Sequence, residues 1–244
     1  MRLDKLLVHA AYGSRKQVQQ LIRRKQVQVN GKIAVTGKLK VAPTQDQVTV
    51  AGQSVHYQQF YYYMLNKPAG TLSATTDKHQ KTVLALLSTA DWRQDLFPVG
   101  RLDKDTTGLL LLTNDGQMAH QLLSPKRQVA KIYQAIIAGL VTATDQQIFK
   151  QGITTKAGYH FQPAELTILK TDPQQQKSWI QITLREGKYH EVKRLFQAVE
   201  KEVLQLRRLQ MGSLTLDPAL KAGEYRPLTS SEIEALKTSL CNSK

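Results

Sequence analysis

Cysteine is nearly missing from this chain: Cys241 is the only one in 244 residues. An internal disulfide is therefore excluded, and so is a thiolate-rich zinc site. A lone thiol suits a reducing cytosol. No run approaches the roughly 20 apolar residues of a membrane span. Residues 1–10 lack an apolar stretch with a small-residue cleavage site, so no export signal is expected. The expectation is a cytoplasmic protein with no membrane partner. Internal repeats and low-complexity stretches are missing too. The most telling scarcity is of acid. Only 19 Asp+Glu face 34 Lys+Arg, a net charge of +15. With 41% apolar residues the chain can build a packed core, which excludes a disordered basic tail. Such a charge implies a polyanionic partner, bound or chemically altered.

Acid is scarcest at the N-terminus. Residues 1–42 carry ten Lys and Arg against the single Asp4, so +9 of the +15 sits there and about +6 is spread over the other 202 residues. A small basic module joined to a nearly balanced larger one is expected. Leu3, Leu6, Leu7 and Ala10 mark one face of a short helix, which Gly13 stops. Ser14 and Gln17 have capping-box spacing for a second helix, striped by Val18, Leu21 and Ile22. Val27-Gln28-Val29 alternates, and Asn30-Gly31 signals a hairpin turn. Arg2, Arg15, Arg23, Arg24, Lys25 and Lys32 are the candidate nucleic-acid-binding residues of this module. A solvated basic face is the plain alternative. It is disfavoured because the acidic residues that normally intersperse such a face are lacking, and a dense cationic face neutralises phosphates. The segment RLDKLLVHAAYGSRKQVQQLIRRKQVQVNGK, within residues 1–45, resembles the S-four-like RNA-binding module. That resemblance implies structured RNA, read by shape and phosphates.

Residues 42–59 are polar, with Pro43 and Gly52 as breakers, and the boundary is placed near residue 58. The expected domains are 1–58 and 59–244. In the second, strands are expected over 61–66, 108–113, 131–139, 164–169, 178–185 and 203–209. Helices are expected over 82–87, 117–123, 144–150, 190–199 and 230–240, the last capped by Thr229 and Glu232. The irregular order favours an α+β class with a mixed sheet over a doubly wound one.

The most informative stretch is Phe97 to Gly108, a polar, turn-rich loop followed by the apolar run Leu109 to Leu112. It sets Arg101, Asp103, Lys104 and Asp105 at the mouth of a buried strand, where catalytic groups often sit. A turn capped by Asp103 or Asp105 is one reading. A calcium loop is a second. It fails because Asn114 stands where a bidentate carboxylate is needed, and because the flanks do not read as two helices. A carboxylate nucleophile beside a nucleotide-handling arginine is the third.

The third reading gains from likeness to a family. GRLDKDTTGLLLLTNDG resembles the signature of the pseudouridine synthases that modify ribosomal RNA. YYYMLNKPAG (61–70), KIYQAII (131–137), REGKYHEVKRLFQAV (185–199) and GEYRPLT (223–229) are similar to the family's other motifs, in order and spacing. The resemblance is closest to the branch that includes small-subunit rRNA pseudouridine synthase A. It implies a mostly antiparallel pseudouridine-synthase sheet and needs no cofactor and no metal. It makes Asp103 the essential carboxylate, either attacking the anomeric carbon or assisting loss of a ribose proton. Lys193 becomes its basic partner, at the margin of the helix stripe formed by Val192, Leu195, Phe196 and Val199. Tyr133 becomes the aromatic that stacks on the uracil, its alternative being core filling. Arg101 fills the gap left by the extruded uridine. Lys67 and Arg194 are expected at RNA phosphates. The expected partner is 16S rRNA or a small-subunit assembly intermediate, met by a monomer. The rivals are a 23S rRNA enzyme of the same family, a non-catalytic RNA-binding or assembly factor, and a nucleoside or glycoside hydrolase. Two departures from the family pattern stand out. Glu191 replaces the usual glutamine after the motif's histidine and is expected to add negative charge near RNA. Glu200-Lys201 replaces a pair that usually contains glycine.

Overall fold

The computed structural model describes residues 1–155 and 158–242 of the chain. It divides into two compact units. The first comprises residues 1–61 together with 87–96, and the second residues 62–86 and 97–244. A single break near residue 58 was expected, so the first unit has recruited a segment that the sequence order assigns elsewhere. Its ties are visible. The ring of His9 meets the Asp95 carboxylate and the Gln58 carbonyl, each at 2.9 Å. Arg93 lies 4.8 Å from the centre of the Tyr61 ring.

The first unit holds helices α1 (Leu3–His9) and α2 (Arg15–Arg23). They are followed by short strands β1 (Val27–Val29), β2 (Lys32–Ile33), β3 (Val48–Val50) and β4 (Gln53–Ser54). The capping box of α2 is complete, Ser14 accepting from Gln17 N–H and Gln17 from Ser14 N–H. Such a cap stabilises by about 1 kcal/mol. The strands form an antiparallel sheet ordered β2-β1-β3-β4. Asn30 and Gly31 both take positive φ, 51° and 75°, as a tight hairpin turn requires. Leu3, Leu6, Leu7, Val18, Ile22, Val27, Val48 and Val50 form the core. Arg15, Arg23, Arg24, Lys25 and Lys32 remain exposed. Arg2 is also exposed but is paired with Asp4, the one acid of this segment.

The second unit is built on one large sheet. Its strands are β5 (Tyr62–Lys67), β6 (Phe97–Pro98), β7 (Thr107–Thr113), β8 (Lys131–Ala138), β11 (Glu165–Asp172), β12 (Lys177–Leu184), β13 (Glu202–Met211), β14 (Leu214–Thr215) and β15 (Tyr225–Pro227). A separate hairpin joins β9 (Ile153–Thr154) and β10 (His160–Phe161). The main order is β11-β12-β8-β13-β7-β5-β15. Every pairing is antiparallel except β13 with β7. The class is therefore mixed α+β with a mostly antiparallel sheet. Helices α3 (Gly116–Leu123) and α6 (Ser230–Asn242) cover one apolar cluster with Met64, Leu109 and Leu111. Helices α4 (Ala143–Gln151) and α5 (Glu191–Ala198) cover a second with Ile137, Ile180 and Ile182. The expected helix at 82–87 is only a 3-10 turn, Val83–Leu86. Phe97–Pro98 is a short strand, so the Asp103 loop joins two strands and the calcium-loop reading has no flanking helices.

The parallel pairing of β13 with β7 depends on Gly108. Its φ is +98°, and a Cβ there would fall 2.2 Å from the Arg208 carbonyl oxygen. Only glycine lets β7 approach β13 this closely. That approach brings the loop before β7 beside the strand that carries Leu206 and Arg208. Glu200 takes φ +56°, a left-handed conformation that suits the glycine expected in this turn.

Candidate active site

The β6–β7 loop is fixed from beneath by backbone bonds. Leu102 exchanges two bonds with Ser73 Oγ, at 3.1 and 2.9 Å. Gly70 N–H donates to the Lys104 carbonyl at 2.8 Å, and Thr106 N–H to the Asp103 carbonyl at 3.1 Å. Lys67 completes the clamp. It is fully buried, and its ammonium donates to the carbonyls of Pro68, Lys104 and Thr106 at 3.1, 3.2 and 2.9 Å. Burial pushes its pKa down to about 8, against the opposing charges of Asp105 and Asp103. This corrects the expectation that Lys67 contacts RNA phosphate: its charge has no route to solvent and serves the loop instead.

The separation of those two roles is measurable. Lys67→Met removes the donor to three carbonyls, with an expected cost of about 2 kcal/mol in stability. Turnover is expected to fall about tenfold, as a loosened loop misplaces its groups. RNA affinity should stay unchanged in a filter-binding titration. A salt-dependent loss of affinity would instead restore the phosphate role.

Over this loop lies a cavity of about 120 Å³. It brings together Arg101, Asp103, Tyr133 and Lys193, four residues from three separate motifs. Asp103 is partly exposed. His190 Nε2 lies 3.5 Å from one of its oxygens and Lys193 Nζ 3.6 Å from the other. The tighter partner of Lys193 is Asp105, both of whose oxygens accept at 2.9 and 2.8 Å. Lys193 thus serves two carboxylates rather than Asp103 alone. Burial lowers its pKa, but the bond to Asp105 and both carboxylate charges outweigh that and raise it. Asp105 is held below the usual carboxylate range by its bond to Lys193. Tyr133 is half-buried on β8, opposite Arg208 of β13. Arg101 is exposed on the cavity's rim.

Arg194 lies outside the cavity, its guanidinium 4.4 Å from the centre of the Tyr159 ring and 5.3 Å from that of Tyr189. Tyr189 is 67% exposed and stacks on His190 at 3.7 Å. Two open rings and a cation beside the cavity are suited to stacking an unpaired base.

The floor holds residues the sequence did not single out as site residues. Lys131, Glu186, Glu191 and Arg208 are all buried. Lys131 donates to the carbonyls of Val129 and Glu186, and burial followed by the charge of Arg208 lowers its pKa. Glu191 accepts from Lys188 N–H at 3.0 Å and shares a hydrogen bond with Glu186. Burial, followed by the charge of Glu186, pushes its pKa up to about 8. Glu186 faces the same burial, but bonds from Lys188 and Gln162 N–H outweigh it and keep its pKa low. Glu191 is therefore protonated at neutral pH. This corrects the expected negative charge, since a neutral carboxyl donates and accepts as a glutamine amide would. A usable signal existed for Lys131, a cation that opens the largely apolar strand Lys131–Ala138.

The comparisons with known proteins agree with one another. A family model described as RNA pseudouridylate synthase matches residues 61–198, and one described as S4 domain matches residues 1–48. The chain is 47% identical over 236 residues to "Uncharacterized RNA pseudouridine synthase YtzG" of Bacillus subtilis strain 168, covering 97% of this chain and 98% of that one. It is 37% identical to "Ribosomal large subunit pseudouridine synthase B" of the same organism, over 97% of this chain and 95% of the other. It is 38% identical to "Ribosomal small subunit pseudouridine synthase A" of Yersinia pestis, over 97% and 98%. A crystal structure of a pseudouridylate synthase superposes with a TM-score of 0.67 at 35% identity, covering 97% of this chain and 99% of that one.

Proposed function

The chain belongs to the RNA pseudouridylate synthase family, and from that premise we propose that it isomerises one uridine of 16S small-subunit ribosomal RNA. The family is shown, and with it the activity: the chain is a pseudouridine synthase with an S4 domain at its N-terminus. The target is the proposal. It is supported by the likeness of the motif set to the small-subunit branch, of which the Yersinia pestis relative is 38% identical. A 23S target is the second reading, favoured by the large-subunit relative at 37% identity.

In the reaction the exposed cations of α2 and the β1–β2 turn hold RNA phosphates. The uridine leaves its stack, and Arg101 occupies the space behind it. Tyr133 supports the uracil face. Asp103 acts at the ribose, where a carboxylate attacks the anomeric carbon or assists loss of a neighbouring proton. Lys193 Nζ and His190 Nε2 flank that carboxylate at 3.6 and 3.5 Å. The observation that carries this reading is the convergence of Arg101, Asp103, Tyr133 and Lys193 on one cavity. The test is a map of pseudouridine across rRNA from cells lacking the protein. One 16S position is expected to revert to uridine and to be restored by the wild-type gene. Loss at a 23S position instead would select the second reading, and an unchanged map in both subunits would refute both.

A further inference from the structure

Among the described residues, three buried side-chain nitrogen or oxygen atoms lack a hydrogen-bond partner. Two of them, Arg208 Nη2 and Thr106 Oγ1, belong to residues that border the active-site cavity. Each of these residues is only 2% exposed. The rest of Arg208 is not loose. Its Nε donates to the Leu109 carbonyl at 2.8 Å, which fixes the plane of the guanidinium. No carboxylate lies within ion-pair distance of it among the described residues. A buried cation with an unused donor is costly and points to a ligand that takes the bond. A buried hydroxyl on the same cavity adds a second demand.

We propose that Arg208 and Thr106 are the uracil-reading and leaving-group-stabilising pair of this site. The inference rests on the pseudouridine-synthase reading above. The exposed edge of uracil carries two carbonyl acceptors, O2 and O4, flanking one donor, N3–H. Arg208 Nη2 donates to a carbonyl oxygen, and the Thr106 hydroxyl takes a second polar atom of the same nucleoside. When the C1′–N1 bond breaks, its electron pair stays with the uracil, as an anion spread over N1, O2 and O4. A fixed guanidinium in a nearly closed site favours that anion more than it favours the neutral uridine. The same pair of electrons is spent when C5 bonds to C1′, and the proton lost from C5 is balanced by the one gained at N1. Arg208 neither gives nor takes a proton in this sequence. It touches the reacting base and is in that sense catalytic.

The test uses the full-length protein and an rRNA fragment carrying the mapped nucleotide, as uridine, 2-thiouridine or 4-thiouridine, under single-turnover conditions. Wild-type protein on the uridine fragment reports on the underlying reading alone, and a lack of product there would refute that reading rather than the role of Arg208. Arg208→Gln is expected to slow product formation about 100-fold, with fragment affinity within about twofold. Sulfur is a poor acceptor, so replacing the contacted oxygen should slow the wild-type enzyme and add little in the variant. Thr106→Val should slow the reaction about tenfold, and Thr106→Ser should restore it. Melting curves establish that each variant is folded. Arg208→Lys, which keeps the charge but loses the planar fork, replaces Arg208→Gln if the latter does not fold. Turnover of the Arg208 variant within threefold of wild type would overturn the inference. So would thio effects of equal size with and without the arginine.

Discussion

Asp103→Asn is expected to leave the protein folded and bound to rRNA while pseudouridine formation falls by about 10⁴-fold or more, the scale seen when a nucleophile or its equivalent is removed. Asparagine matches aspartate in shape, and the loop is held without its carboxylate. Its bonds come from Lys67, Ser73, Gly70 and the main chain of Thr106. Lys193 Nζ and His190 Nε2 lie 3.6 and 3.5 Å from Asp103, so the amide breaks no short pair. What disappears is the negative charge and the nucleophilic oxygen at the ribose. Asp105→Asn is the control. It removes the stronger partner of Lys193, with no atom assigned at the reacting centre, and should cost far less. Single-turnover kinetics read the first quantity and filter binding the second. A variant that loses affinity and rate together would place Asp103 in RNA docking instead. Full turnover by Asp103→Asn would remove it from the chemistry altogether.

Local features were legible in the residues themselves. The Ser14 to Gln17 box, the Asn30-Gly31 turn and the apolar run at Leu109 each depend on neighbours in sequence, and each stands where spacing put it. The motif set also brought Tyr133 and Lys193 to the cavity of Arg101 and Asp103, although periodicity alone would have left Tyr133 in the core and Lys193 at a surface margin. Long-range burial was not legible. Nothing near Lys67 in sequence announces the Lys104 and Thr106 carbonyls that surround it, some 40 residues away. The capture of residues 87–96 by the first unit depends on His9 meeting Asp95 and Tyr61 meeting Arg93 across the chain. Asp105 read as a turn cap because its partner, Lys193, sits 88 residues further on. Arg208 shows the same limit from the other side. Its strand was read correctly, but an unpaired guanidinium nitrogen is visible only once the cavity is assembled.

Glu191 offers the second large effect, and its sign follows from which state holds the proton. Unfolded, the carboxyl titrates near its ordinary value of 4.5. Folded, it keeps its proton to about pH 8, through burial and the facing charge of Glu186. Between those limits the native state binds one more proton than the unfolded state, so stability declines as pH rises and levels off above pH 8. The difference amounts to ~5 kcal/mol across the window. Glu186, Lys131 and the Lys188 N–H are the groups that face this carboxyl. Glu191→Gln retains the geometry, since the amide can donate to Glu186 and accept from Lys188 N–H, and it has nothing to titrate. Melting temperatures of the two proteins should nearly coincide near pH 4, below both titration limits. At pH 9 the glutamine variant should melt about 10 °C higher, the scale of a few degrees per kcal/mol for a domain this size. Parallel melting profiles from pH 6 to 9 would mean that Glu191 is already ionised in the native state. That outcome would return a negative charge to the cavity floor, beside the Lys131 that would then have to neutralise it. If the profiles diverge as expected, glutamic acid and glutamine are equivalent in this motif at neutral pH. The departure from the family pattern is then felt only under alkaline conditions.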